Sequence, residues 1–194
     1  FDALLQEVAA GHPVLVLQNL GTDWLTQWHF AVVVGFDLER RELVLRSGDL
    51  PRRLTPFAVF DTTWRRSQRW GRVILPPQVV PATALPLPYL KAVSDLEQTG
   101  PASAALTGYR TAAARWPDQP EVQFGLGTAL LEQHDLPAAR LAFETLLALQ
   151  PDLAAGWNNY AYTLQALDCP AAASAAIDCA LRLAPDHPDW LASR

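Results

Sequence analysis

The sequence predicts an α+β chain in two parts, an antiparallel β-sheet unit followed by an all-α helical array. Three observations carry that reading. The stretch Trp28-His29-Phe30-Ala31-Val32-Val33-Val34-Gly35-Phe36-Asp37 is a long apolar run in which five of the seven residues from Phe30 to Phe36 are Val or Phe, residue types that suit a pleated, well-packed strand. Five prolines fall between positions 76 and 88, where fixed φ angles and missing donors favour an extended connector. Beyond them, Trp116-Pro117-Asp118, Gln150-Pro151-Asp152 and Ala184-Pro185-Asp186 recur every 34 residues.

The chain opens with Leu4, Leu5, Val8 and Ala9 at helical spacing between Asp2 and Ala10, and Gly11 is a natural stop. Pro13 to Leu17 is short and apolar throughout, a strand buried on both faces. Residues 18–23 are rich in loop formers. The strand headed by His29 follows, then a polar turn, then a strand from Glu42 to Ser47, together an antiparallel hairpin. If Asp37 faces Glu42, Arg46 and Gly48 share the face of His29. With one more loop residue, Ser47 and Asp49 share it, because a one-residue slip flips every side chain. Either way, 47–49 is the polar cluster that the hairpin brings near His29. Pro56 to Arg66 reads as a short helix with Phe57, Phe60 and Trp64 on one side, and Trp70 to Leu75 as a last strand. The expected organisation is 1–76 for the sheet unit, 77–88 for a linker that joins neither sheet nor helix, and 89–194 for the helices.

Composition narrows the function classes. Half of the residues are apolar and 18% are charged, which excludes global disorder. No apolar run reaches the roughly 18 residues that span a bilayer, and no signal peptide is visible. There is no methionine, and Phe1-Asp2 falls inside a helix, the expectation being that an N-terminal portion is missing. The net charge of −5 divides into +1 for residues 1–75 and −6 for the remainder. The arginines Arg40, Arg41, Arg52, Arg53, Arg65, Arg66, Arg69 and Arg72 are interleaved with acids and carry no nucleic-acid motif, so they read as a solvated, mixed-charge sheet edge. Cys169 and Cys179 are ten apart on one helix, hence on different faces, without metal-ligand spacing. They are expected to be small buried residues. No metal and no cofactor is expected.

With proline as the thirty-second position of a 34-residue unit, small residues fall at position eight (Gly127, Ala161) and position twenty (Ala105, Ala139, Ala173). Large residues fall at position twenty-four (Tyr109, Phe143, Ile177) and position four (Tyr89, Trp157). That is the tetratricopeptide repeat pattern of paired antiparallel helices. The first unit is degenerate, with Val93 where Gly or Ala is expected, and Asp189-Trp190-Leu191 would begin a further helix. By position, Phe124, Thr128, Glu132, Asn158, Tyr162 and Gln165 face the concave groove, a neutral-to-acidic surface without lysine suited to a peptide or protein partner.

The strand headed by His29, the preceding Gly11-His12-Pro13-Val14-Leu15-Val16-Leu17 and the following Leu43-Val44-Leu45-Arg46-Ser47-Gly48 resemble the second half of a papain-like cysteine peptidase of the bacteriocin-processing type, fused in some bacterial proteins to tetratricopeptide repeats. The resemblance implies a bacterial envelope setting and a Cys–His peptidase in which His29 is the base. Its orienting aspartate falls on Ser47, with Asp49 a nearby substitute. Both cysteines of this chain lie in the repeats, so the nucleophile would lie upstream and the chain alone would not hydrolyse peptides. The alternative is a non-catalytic adaptor that binds peptide or protein.

Overall fold

The computed structural model describes residues 1–185. The chain divides into two compact units, Phe1–Ala84 and one beginning at Leu85.

In the first unit, helix α1 (Asp2–Ala9) precedes β1 (Val14–Asn19), β2 (Trp28–Asp37), β3 (Glu42–Ser47), β4 (Leu50–Pro56), helix α2 (Phe57–Arg65) and β5 (Gly71–Val73). The five strands form one antiparallel sheet in the order β4-β3-β2-β1-β5. Side chains alternate across the pleat. One face therefore collects Val14, Val16, Ala31, Val33, Leu43 and Leu45, which pack against Leu4 and Val8 of α1 and Phe60 and Trp64 of α2. Because a single layer of helices covers this face, β1 is not buried on both sides as its composition implies. Its alternate residues Leu15 and Leu17 are half-exposed.

The hairpin adopts both candidate registers. Asp37 pairs with Glu42, Phe36 with Leu43 and Gly35 with Val44, but beyond a bulge Val33 pairs with Leu45 and Val32 with Arg46. The bulge inserts one residue and returns the far end of β2 to the other register, placing Ser47 on the face of His29. Three further differences from expectation have simple causes. The strand β4 was not foreseen, because Pro51, Arg52, Arg53 and Pro56 suppress its signal. Those residues are tolerated because β4 is an edge strand. The last strand spans Gly71–Val73 rather than 70–75, since Pro76 and Pro77 follow closely. The proline-rich segment joins neither sheet nor helix only as far as Leu85: Pro86 opens helix α3, where its missing N–H costs nothing.

That segment is not loose. Glu7 of α1, only 2% exposed, accepts hydrogen bonds from the amides of Ala82 (3.0 Å) and Thr83 (2.6 Å), from the Thr83 hydroxyl, and from His12 Nδ1 at 2.8 Å. Burial pushes its pKa up, but the hydrogen bonds from Thr83, His12 and Ala82 outweigh that and hold it below 4.5.

The second unit contains α3 (Pro86–Thr99), α4 (Ala102–Arg115), α5 (Pro120–Glu132), α6 (Leu136–Leu149), α7 (Ala154–Ala166) and α8 (Pro170–Leu183). The repeat is legible in the backbone as well as the sequence. His134 and Asp168, 34 apart, both take a left-handed φ of 59° where α5 and α7 end. Gln123 and Trp157, again 34 apart, donate side-chain N–H groups to the carbonyls of Pro117 and Pro151, six residues upstream of each. The Val93 irregularity is absorbed by its neighbour. A Cβ on Gly108 would lie 2.8 Å from the Val93 side chain, so the small partner has moved to the facing helix. Cys169 is exposed and Cys179 half-buried, not buried as expected. The first is the N-cap residue of α8. The expected further helix from Asp189 lies outside the described residues.

Among the described residues, no helix is long and apolar enough to cross a membrane, and no group of three His, Cys, Asp or Glu is placed to hold a metal ion.

Candidate functional site

Two sites were expected, one in each unit. In the sheet unit, Gln18 of β1 pairs directly with His29 of β2, and Ser47 ends β3. The three form a polar row closing one end of the apolar core. His29 Nε2 and Ser47 Oγ share a hydrogen bond of 2.7 Å. Gln18, buried, donates from Nε2 to Thr63 Oγ1 of α2 at 2.7 Å, and Thr63 in turn donates to the carbonyl of Phe60. The imidazole is half-buried and held through Nε2; among the described residues Nδ1 makes no hydrogen bond. Asp49 does not join this row. It lies exposed in the β3–β4 turn, with no hydrogen bond to the ring among the described residues, because the chain reverses immediately after Ser47 and carries the carboxylate away. The orienting contact is therefore a neutral hydroxyl, which fixes the ring but supplies no charge to stabilise an imidazolium. Gln18 was missed; its one signal was a polar residue in phase with Val14 and Val16 on a buried strand face.

In the helical unit, the groove residues come from α5 and α7. Glu132 and Gln165 are exposed, Tyr162 is 46% exposed, and Thr128 is half-buried. Phe124 packs partly into the core between repeats, with Leu130 and Phe143. Asn158 is the exception: it is only 8% exposed, and its Oδ1 makes no hydrogen bond. The adjacent Asn159 takes the inter-repeat position, donating to Thr128 Oγ1 at 3.4 Å, while Asn158 turns into the helix packing and donates to Asn159 Oδ1. A one-residue rotation on a 100° helical wheel separates these two roles. Tyr162 and Gln165 also line a hollow of about 250 Å³ between α7 and α8, floored by Ala161, Ala173 and Ile177. In the neighbouring unit, burial and the Glu97 carboxylate push the Tyr109 hydroxyl up to about 12, while the hydroxyl donates to Glu97 at 3.1 Å. The Glu132 carboxylate raises the same hydroxyl, so both acids act on this one spot.

No known protein family and no curated protein matches the chain. Solved structures do. The first tetratricopeptide domain of Spaghetti (RPAP3), bound to the HSP90 peptide SRMEEVD, aligns with a TM-score of 0.53 at 15% identity, over 56% of this chain and 86% of that one. YrrB, a tetratricopeptide protein with an unusual peptide-binding site, aligns with a TM-score of 0.53 at 17% identity over 71% of this chain. The match spans 65% of the YrrB chain. A MamA RS-1 double mutant aligns at 0.51 and 18% identity, over 54% of this chain and 59% of that one. The helical unit has the tetratricopeptide repeat fold. Identities this low speak for fold alone.

Proposed function

We propose that the chain is a peptide- or protein-binding repeat protein that holds an extended segment of a partner in the concave groove of its helical unit. The observation that carries this reading is the common register of α5 and α7, which present Thr128 and Glu132 from one and Asn159, Tyr162 and Gln165 from the other. Peptide-bound or peptide-binding structures of the same fold support it. The groove chemistry selects its ligand. Lys91 of α3 is already paired with Asp95 at 3.0 Å, and the remaining charges, Glu97 and Glu132, are acidic. A neutral or basic peptide fits; an acidic C-terminus does not.

The test is fluorescence anisotropy on the full chain with a panel of labelled heptapeptides. Neutral and lysine-containing peptides are expected to include saturable binders that weaken about tenfold on Tyr162→Ala. The acidic peptide SRMEEVD is expected to have a Kd above about 1 mM. Tight binding of that peptide, or binding indifferent to Tyr162, would overturn the reading.

The short His29–Ser47 bond favours a second reading, in which His29 is the general base of a cysteine peptidase whose thiol comes from outside this chain. A single experiment decides it: in the complete protein, His29→Ala must abolish peptide hydrolysis while Ser47→Ala, which loosens the ring, lowers kcat without raising KM. Unchanged turnover in His29→Ala removes the enzyme reading.

A further inference from the structure

Within the first unit, the helices α1 and α2 cover the sheet on one face only. Its other face is defined by direct pairs across the strands: Leu15 with Val32 and Leu17 with Phe30 between β1 and β2, Val32 with Arg46 between β2 and β3, and Arg72 with Leu15 between β5 and β1. Trp28 lies two residues from Phe30 and shares its side. Trp28 and Phe30 are 54% and 57% exposed. Trp70 meets Phe30 edge-on at 5.8 Å, and Arg72 lies 5.2 Å over the Trp70 ring. The patch is an aromatic cluster with a guanidinium on either side, Arg46 toward β3 and Arg72 on β5, neither with a carboxylate partner among the described residues. The acids of this face, Asp37 and Glu42, lie at the hairpin end, and Asp37 already engages Arg40.

Trp and Arg in this arrangement are the residue types that dominate binding energy at protein interfaces. The two edges of the sheet are poor receivers of an added strand, since β4 carries Pro51, Pro56, Arg52 and Arg53, and β5 has three residues. What suits an uncovered antiparallel face is a helix laid across it. Unpaired arginines beside apolar surface select the charge of that helix.

We propose that this face docks an acidic amphipathic helix of a protein partner, its apolar stripe on Trp28, Phe30 and Trp70 and its carboxylates on Arg46 and Arg72. The site is separate from the concave groove and does not depend on it.

The probe is a fluorescein-labelled synthetic 18-residue helix with Leu and Phe along one stripe and Glu flanking it, titrated against the full chain. Saturable binding is expected, weakened about tenfold by Phe30→Ser and by the double change Arg46→Glu with Arg72→Glu. A matching peptide with Lys for Glu should fail on the native chain and bind the charge-reversed one. Because all three positions are at the surface, circular dichroism of the variants should match the native chain. Equal binding of Glu and Lys peptides, or loss of binding in Tyr162→Ala but not Phe30→Ser, overturns the proposal. So does single-stranded RNA that binds this face in place of the Glu peptide, or self-association abolished by Phe30→Ser, which would make a second copy the occupant.

Discussion

Glu7→Ala is expected to detach the 76–84 segment from α1 and to destabilise the sheet unit by about 3 kcal/mol. Four donors converge on this one carboxylate. Truncating it leaves the Ala82 and Thr83 amides without their buried, charged acceptor, and a hydrogen bond to a charged group contributes about 1.5–3 kcal/mol. The amides of Ala82 and Thr83 should exchange with solvent orders of magnitude faster in the variant, read residue by residue by hydrogen exchange. His12→Ala removes one contact of the four and should cost about 1 kcal/mol. Acid should mimic the substitution. The folded-state pKa of Glu7 lies below its unfolded value of 4.5, so this stabilisation is present above that value and is lost as the pH falls through the folded pKa. Protection of the two amides should therefore fall at a pH below 4.5. Protection unchanged in Glu7→Ala would mean that the segment is held by packing alone.

Glu7 also illustrates what was legible in the sequence. A glutamate on the first helix gives no sign that it will be buried, because three of its four donors come from residues 75 and 76 positions away and two of the four are backbone amides. The proline segment reads as a spacer for the same reason: proline content reports missing donors, not what the remaining amides find. By contrast, the repeats were legible because each contact between paired helices recurs at a fixed offset, so Gly127 and Phe143 name each other. Even the defect at Val93 had its answer in the chain, in the unexpected glycine at 108. His29 was legible as the head of a strand, but its partner was not decided until the bulge at Val33–Gly35 chose the register. A pattern with period two cannot report where it slips by one. Asn158 and Asn159 show the matching limit for helices, where two identical side chains share out a groove role and a core role by position alone. The open sheet face escaped notice because β1 and β2 are apolar in both phases, and apolar residues alone do not reveal which side a helix will cover.

Phe143→Ala is expected to cost about 4 kcal/mol and to unfold the helical unit well before the sheet unit. The ring is fully buried at the centre of the contact between α5 and α6, among Leu130, Ala139, Ala142 and Leu146. Its fit depends on the absence of a side chain at Gly127. A Cβ there would stand 2.8–3.0 Å from three ring atoms, so the fully buried ring would have to shift against its neighbours. Gly127→Ala alone should therefore destabilise, by about 1–2 kcal/mol, although alanine is the better helix former by about 1 kcal/mol. In the Phe143→Ala background the sign should reverse. The ring that opposed the methyl is gone, and the added carbon fills part of the cavity while the helix gains its propensity. The double-mutant cycle should then show a coupling of about 2 kcal/mol, measured by urea denaturation followed by helical ellipticity. Additive effects would show that the glycine is dispensable to the packing. A reversed sign would establish that the small residue at position eight and the large one at position twenty-four act as one unit, the physical content of the 34-residue repeat.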